Sequence, residues 1–320
     1  MQIGVFNDGL AHMPREQAFA WCAERGIDRI EMGVGGWAQA AGHLDLSGLL
    51  REASARDRLL GELREHGLGL SCVNAAGNPL HPDPEIGARH AAAVRGAIEL
   101  ARLLGVGTVV TMSGCPGSRD GGRTPVFAPW ALTPDDESLW EWQLEHRLRP
   151  FWRELSSWAA DAAPGVTICL ELHPGASAYS PGSYRRLAEH AGPNLGVNFD
   201  PSHFWWQGID PLCVIEDVGD RIGFAHGKDT LIHPDRVRRD GVIDFRHPVD
   251  PATAGWHFAA VGDGHDVAVW AELLAALRAA GYDGDLSIEH EDPRMGPEEG
   301  IETSLAGLRA ALAHPEVAVG

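Results

Sequence analysis

The sequence predicts an α/β fold: a closed (β/α)8 barrel with long loops on its catalytic face. Three observations predict it. Eight short apolar runs alternate with eight longer segments of helical periodicity. The runs are apolar almost throughout, as strands covered on both faces must be. The last four each end in a side chain able to bind a metal, and four such ends converge when consecutive strands are neighbours in one sheet closed on itself.

The first strand is expected over 3–6 and feeds a helix over 14–25 that Gly26 stops. A strand over 29–32 is followed by a helix over 56–66, ended by Gly67. The third unit pairs 68–73 with a helix over 84–104, ended by Gly105. Strands over 108–112, 167–172, 195–199 and 222–225 precede helices over 137–162, 184–190, 211–218 and 267–280. The eighth strand, 285–288, leads to a helix over 297–313, opened by Pro297 with Glu298 and Glu299 in its first turn. Glycine just past a helix, and proline with acids at its start, are the expected terminus signals. One domain over 1–320 is the economical reading, because such barrels run to roughly 250 residues and more with insertions. Two connections, 113–136 and 230–266, are too long for ordinary βα loops. Both follow strands, so both belong to the carboxyl end of the barrel, where long loops act as lids, specificity elements or interfaces.

The formal charge is −19, from 45 acids against 26 bases. Such a surface repels phosphate backbones and anionic lipid, so neither nucleic acid nor membrane is an expected partner. No stretch approaches the roughly 18 apolar residues of a membrane span. Five scattered cysteines without a C-x-x-C fit a reducing cytoplasm, with the thiols as small core residues. The start, Met1-Gln2-Ile3-Gly4-Val5, has no basic region and no long apolar stretch, so no signal peptide is expected.

The chemistry is written in four stretches: Leu170-Glu171-Leu172-His173-Pro174, Asn198-Phe199-Asp200-Pro201-Ser202-His203, Ala225-His226-Gly227-Lys228-Asp229 and Ile288-Glu289-His290-Glu291-Asp292. Glu171, Asp200, His226 and Glu289 end the fifth to eighth strands and are the expected ligands of one divalent ion. A carboxylate-rich set with one histidine is hard, and suits Mn²⁺ above all, then Mg²⁺ or Co²⁺, with Zn²⁺ a weaker alternative. His173 lies two residues after Glu171 and Lys228 two after His226, on the same side of an extended chain. Both are candidates for holding substrate hydroxyls or shuttling a proton, and Trp205 and Trp256, in the catalytic-face loops, are candidates for binding substrate through an aromatic-aglycone pocket, or for a subunit interface. A metal chelated by a sugar carbonyl and its neighbouring hydroxyl acidifies the adjacent C–H. The candidate bases are Glu171, Glu289, His203 and His146, the histidines because they titrate in the useful range unaided. Returning the proton to the other face epimerises the sugar, returning it to the neighbouring carbon isomerises it, and expelling a β-substituent gives elimination. A glycine-rich run, Gly33-Val34-Gly35-Gly36-Trp37-Ala38, reads as a loop over the site, since no helix follows at once and no acid lies on a strand about 20 residues on.

On these ligand positions the chain resembles the xylose isomerase-like TIM barrel superfamily of sugar phosphate isomerases and epimerases over essentially its full length. The resemblance implies that Glu171, Asp200, His226 and Glu289 hold the metal and that His203, in an Asp-x-x-His pair with Asp200, contacts substrate. The run Trp140 to Leu148, Glu171-Leu172-His173-Pro174, the segment Phe199 to Gly208 and Gly262-Asp263-Gly264-His265-Asp266 are also similar to the catalytic subunit of bacterial C-glycoside deglycosidases, which cleave 3-oxo-glycosides and pair with a small second subunit. That resemblance implies lyase-type deglycosylation of a 3-oxo-glycoside, with a sugar or glycoside as the small-molecule substrate. It also implies a hetero-oligomer with an accessory subunit, a homo-oligomer being the alternative. Ketose 3-epimerase or aldose–ketose isomerase activity is the second reading. A non-catalytic carbohydrate-binding or scaffold subunit is a third, against which the complete ligand set argues, and the charge disfavours a DNA repair endonuclease.

Overall fold

The apolar runs do become the strands of a barrel. In chain order the strands are β1 (Ile3–Phe6), β2 (Arg29–Gly33), β3 (Gly69–Asn74), β4 (Thr108–Met112), β5 (Thr167–Glu171), β6 (Leu195–Phe199), β7 (Ile222–Gly227), β8 (Asp229–Ile232), β9 (Trp256–Ala259) and β10 (Leu286–Ile288). Eight of them close a parallel barrel in the order β1-β2-β3-β4-β5-β6-β7-β10, with β10 back against β1. This is a computed structural model, and it describes residues 1–130, 138–243 and 250–318. The expected loop residues 131–136, the first residue of the 137–162 helix, and 244–249 of the second long loop lie outside the described residues. Among the described residues no helix is long and apolar enough to cross a membrane.

Alternation along each strand sorts the side chains into two layers. On one face Val73, Val109, Ile168, Leu170 and Val197 join the large core between strands and helices. On the other face Cys72, Val110, Cys169 and Phe224 form a small separate apolar plug. Two residues further along β3, β5 and β7, on the plug's side, stand Asn74, Glu171 and His226. A polar layer therefore sits directly on an apolar one. Burial pushes the thiols of Cys22 and Cys169 up to about 12, so both pack as inert small groups.

The structure departs from the sequence reading in four places. The segment 230–266 is no plain loop: β8 and β9 pair as an antiparallel hairpin, and a short helix, Pro234–Asp240, lies between them. A further helix, Leu46–Arg51, forms where Asp45 accepts a hydrogen bond from the Gly48 N–H at 3.0 Å. The helix expected over 184–190 begins at Pro181 and ends at Ala188, because Ser180 and Ser183 cap each other reciprocally. The long helix expected over 137–162 runs as Leu139–Gln143, a π-helical turn Leu144–Leu148, and Arg149–Ala162. Pro150 has no N–H to give and its ring would meet the carbonyl four residues back, so the ladder slips there.

Candidate metal centre

The four predicted ligands come together. Glu171 is the last residue of β5, Asp200 follows β6, His226 lies inside β7, and Glu289 follows β10. One ligand atom from each lies within 4.8 Å of all the others. Opposite ligands of an ion bound at about 2.1 Å are about 4.2 Å apart, so a few tenths of an ångström of side-chain closure would complete a shell. Asp200 is the candidate ligand with one oxygen outside the hydrogen-bond network. Its Oδ1 accepts the Ser202 N–H at 3.0 Å, but its buried Oδ2 accepts no hydrogen bond and faces His203 Nε2 (3.3 Å), Lys228 Nζ (3.1 Å) and His226 Nδ1 (3.6 Å). This buried oxygen is ion-paired with the Lys228 ammonium and turned toward His226, one of the other candidate ligands.

Electrostatics point the same way. Burial alone would raise the Asp200 carboxyl, yet Lys228, His203 and His226 hold it well below the usual carboxylate range. Burial alone would lower Lys228, yet Asp200, Glu289 and Glu291 keep it well above the usual lysine range. Its ammonium reaches Glu289 Oε2 at 2.5 Å and Glu291 Oε2 at 2.8 Å and lies 4.6 Å from the centre of the Phe258 ring. His226, lowered by burial, is carried well above the usual histidine range by Glu31, Glu289 and Asp200. Lys228 and His226 thus both face the clustered carboxylates of Asp200 and Glu289.

His203 is fully buried. Its Nε2 lies 2.9 Å from Glu171 Oε1, a distance at which the imidazole donates to the carboxylate. Burial and the neighbouring His173 push it well below the usual histidine range, against the pull of Asp200. It is therefore neutral at pH 7. His173, half-buried, brings its ring centre to 4.1 Å from that of His203, and its Nδ1 is turned onto the Pro174 carbonyl. Glu171, His173 and His203 consequently form one continuous cluster.

Beyond His173 a cleft of about 450 Å³ opens toward the glycine-rich loop. Trp37, Ile86, Met112, Pro125 and His90 are among the residues lining it. Gly36 makes that loop possible: its φ is +67°, and a Cβ there would stand 2.0 Å from the Ala76 carbonyl oxygen. Trp37, carried out over the cleft, is 55% exposed.

Three expected site residues are placed elsewhere. His146 is exposed on the π-helical turn, its ring stacked on Trp142 and its Nδ1 on the Trp142 carbonyl. The helix turns it outward, away from the metal ligands. Trp205 is sandwiched by protein, stacked on His265 with ring centres 3.9 Å apart and edge-on to Trp270. Trp256 stacks on Trp206 at 4.3 Å and donates its indole N–H to the Val242 carbonyl. Both rings are half-buried and packed on aromatic neighbours.

Other residues at the site were not among the expected set. Phe258 of β9 comes within 5.3 Å of the His203 ring centre and roofs Lys228. Asn198, paired with Glu171 across β5 and β6, donates to Glu171 Oε2 at 3.2 Å. Glu31, fully buried in β2, lies 3.2 Å from His226 Nε2. An acid inside the apolar run 29–32 was the available signal. Asp229 is a scaffold: its carboxylate accepts from Thr230 N, Gly262 N, His265 N, His265 Nδ1 and the Trp270 indole, tying the turn after β9 to the start of β8. Gly264 is required in that turn, since a Cβ would come to 2.2 Å from the Thr230 carbonyl oxygen.

Comparison with known proteins agrees with this architecture. The chain is 34% identical over 314 residues to YfiH of Bacillus subtilis (strain 168), itself uncharacterised, covering 98% of this chain and 99% of that one. A structure of the IolI protein with a bound zinc atom superposes with a TM-score of 0.66 at 18% identity, over 98% of each chain. An L-ribulose 3-epimerase structure gives 0.62 at 18% identity, over 100% of this chain and 99% of the other. The model of xylose isomerase-like TIM barrels matches residues 19–311, and the chain therefore belongs to the xylose isomerase-like TIM barrel family.

Proposed function

We propose that the protein is a divalent-metal-dependent enzyme that removes a proton from the carbon beside a sugar carbonyl. The observation that carries this reading is the convergence of Glu171, Asp200, His226 and Glu289 within 4.8 Å of one another, with neutral His203 hydrogen-bonded to Glu171. A divalent ion held there, Mn²⁺ in first place, would polarise the carbonyl and acidify the neighbouring C–H. The chain supplies the rest. Glu171 and Glu289 rise from β5 and β10, which β6 and β7 separate in the barrel. Two carboxylates on separated walls can take a proton from one face of a carbon and return it from another. His203 holds Glu171 in place, and Lys228 does the same for Glu289. The zinc-bound IolI structure and the 3-epimerase structure share this fold, which supports the reading.

The cleft beside His173 favours one outcome within this chemistry. Its volume of about 450 Å³ gives room for a second, apolar part of the substrate next to the sugar. Such a substrate is a glycoside, and expulsion of its aglycone by elimination, as from a 3-oxo-glycoside, is the finer reading. Epimerisation or isomerisation of a free ketose uses the same carboxylates without the cleft. Incubation of 3-oxo-glycosides and free ketoses with and without Mn²⁺ separates them. Aglycone release is the expected result, interconversion of ketoses alone would select the second reading, and no metal-dependent change in either would overturn both. Trp37→Ala is expected to raise KM for an aryl glycoside by roughly tenfold, about the worth of a lost aromatic contact, and to leave a methyl glycoside unaffected.

A further inference from the structure

We propose that Glu31 is the positioning residue for His226: from across the barrel it accepts the hydrogen bond that Nε2–H donates and so presents Nδ1 to the metal. This rests on the metal site proposed above. The two imidazole nitrogens have different surroundings. Nδ1 lies 3.1 Å from Glu289 Oε2, 3.6 Å from Asp200 Oδ2 and 3.7 Å from Glu171 Oε2, so it faces the other three ligands. Nε2 faces Glu31, at 3.2 Å from Oε2 and 3.4 Å from Oε1. A histidine that ligates through one nitrogen commonly gives the other N–H to a carboxylate, which fixes both tautomer and ring angle.

Glu31 is itself held. Its Oε1 accepts from Asn74 Nδ2 at 2.6 Å, and Asn74 Oδ1 accepts the Ala76 N–H at 2.7 Å, which anchors the chain of contacts to the backbone after β3. Phe6 stacks on the imidazole with the planes 16° apart, and Phe224 meets it edge-on at 84°. Glu31 is 0% exposed, and its Oε2 accepts no hydrogen bond of good geometry as the side chains stand. Oε1 thus meets both Asn74 Nδ2 and His226 Nε2, while Oε2 stands 3.2 Å from the same Nε2, so both oxygens of this buried carboxylate are turned to the imidazole.

The test compares wild type, Glu31→Gln and Asn74→Ala. Titration calorimetry with Mn²⁺ should show affinity about 10–100-fold weaker in Glu31→Gln, the usual cost of losing such a partner. Asn74→Ala, which keeps the charge but releases its hold, should show a smaller loss in the same direction. In Zn²⁺-loaded, ¹⁵N-histidine-labelled wild type, His226 should be metal-bound at Nδ1 and protonated at Nε2, and Glu31→Gln should lose that single tautomer. A purely structural role would instead lower the melting temperature of metal-free protein and leave the metal-induced rise in melting temperature unchanged. Wild-type Mn²⁺ affinity in folded Glu31→Gln, or metal at Nε2 in wild type, overturns the proposal. Should Glu31→Gln not fold, undiminished Mn²⁺ affinity in Asn74→Ala overturns it. Wild type that binds neither ion would instead overturn the metal site itself, and this assignment with it.

Discussion

Asp200→Asn is expected to abolish both metal binding and turnover, the largest effect of any single substitution in the chain. Protein purified without chelator should carry close to one divalent ion per chain by elemental analysis, and the variant close to none. The substitution is nearly isosteric, and the amide oxygen can still accept the Ser202 N–H that Oδ1 accepts at 3.0 Å, so the fold should survive. What changes is Oδ2, the buried oxygen that accepts no hydrogen bond. An amide nitrogen there neither ligates nor balances charge. Affinity should fall by more than the roughly 10–100-fold typical of an outer partner, because a ligand itself is lost. Chelator should inactivate wild type, and added Mn²⁺ should restore it. Metal-free protein with undiminished turnover would sink the metal requirement, and full metal content in Asp200→Asn would move the ion elsewhere.

The four converging residues are legible in the sequence for a physical reason. A strand buried on both faces must be apolar, so a carboxylate or histidine at its end stands out, and parallel pairing carries all such ends to one rim. Glu171, Asp200, His226 and Glu289 were therefore readable, as was His203 three residues past Asp200. Glu31 was visible only as a lone acid in a strand. What gives it meaning is His226, 195 positions away and on another wall of the barrel, and no local pattern encodes that contact. The hairpin of β8 and β9 is not legible because its strands, 229–232 and 256–259, pair across a long intervening segment with no short turn to mark it.

The tryptophans show the opposite limit. Their number in the catalytic-face loops was plain, but composition does not say what a ring packs against. Trp205 stacks on His265 and Trp256 on Trp206, while Trp37, in the glycine-rich loop, stands open beside the cleft. The placement of His146 is hidden for a similar reason. Its direction depends on a π-helical turn at Leu144–Leu148, and a single inserted residue rotates every side chain that follows it.

His203→Ala is expected to lower kcat by about 10²–10⁴-fold while metal content stays near one ion per chain, the range a positioned acid–base partner contributes. The reasoning starts from burial. The ring is enclosed, lies 5.3 Å from the Phe258 ring centre and gives its Nε2–H to Glu171 Oε1 at 2.9 Å. Removing it leaves one Glu171 oxygen without that donor, so the carboxylate loses its fixed direction toward the substrate. The loss should fall on kcat more than on KM, because a misdirected base binds the sugar but seldom reaches the proton. The pH profile gives a second reading. Burial first, with His173 beside it, holds His203 well below the usual histidine range, so the ring is neutral above that lowered value and takes a proton only below it. Wild-type activity should therefore stay flat across neutral pH and fall on the acid side, below the usual histidine range. A bound cation would move this limb further the same way, since positive charge disfavours imidazolium. An acid limb near the ordinary histidine value, or His203→Ala with unchanged kcat on the substrate identified in the screen, would reduce His203 to a packing residue.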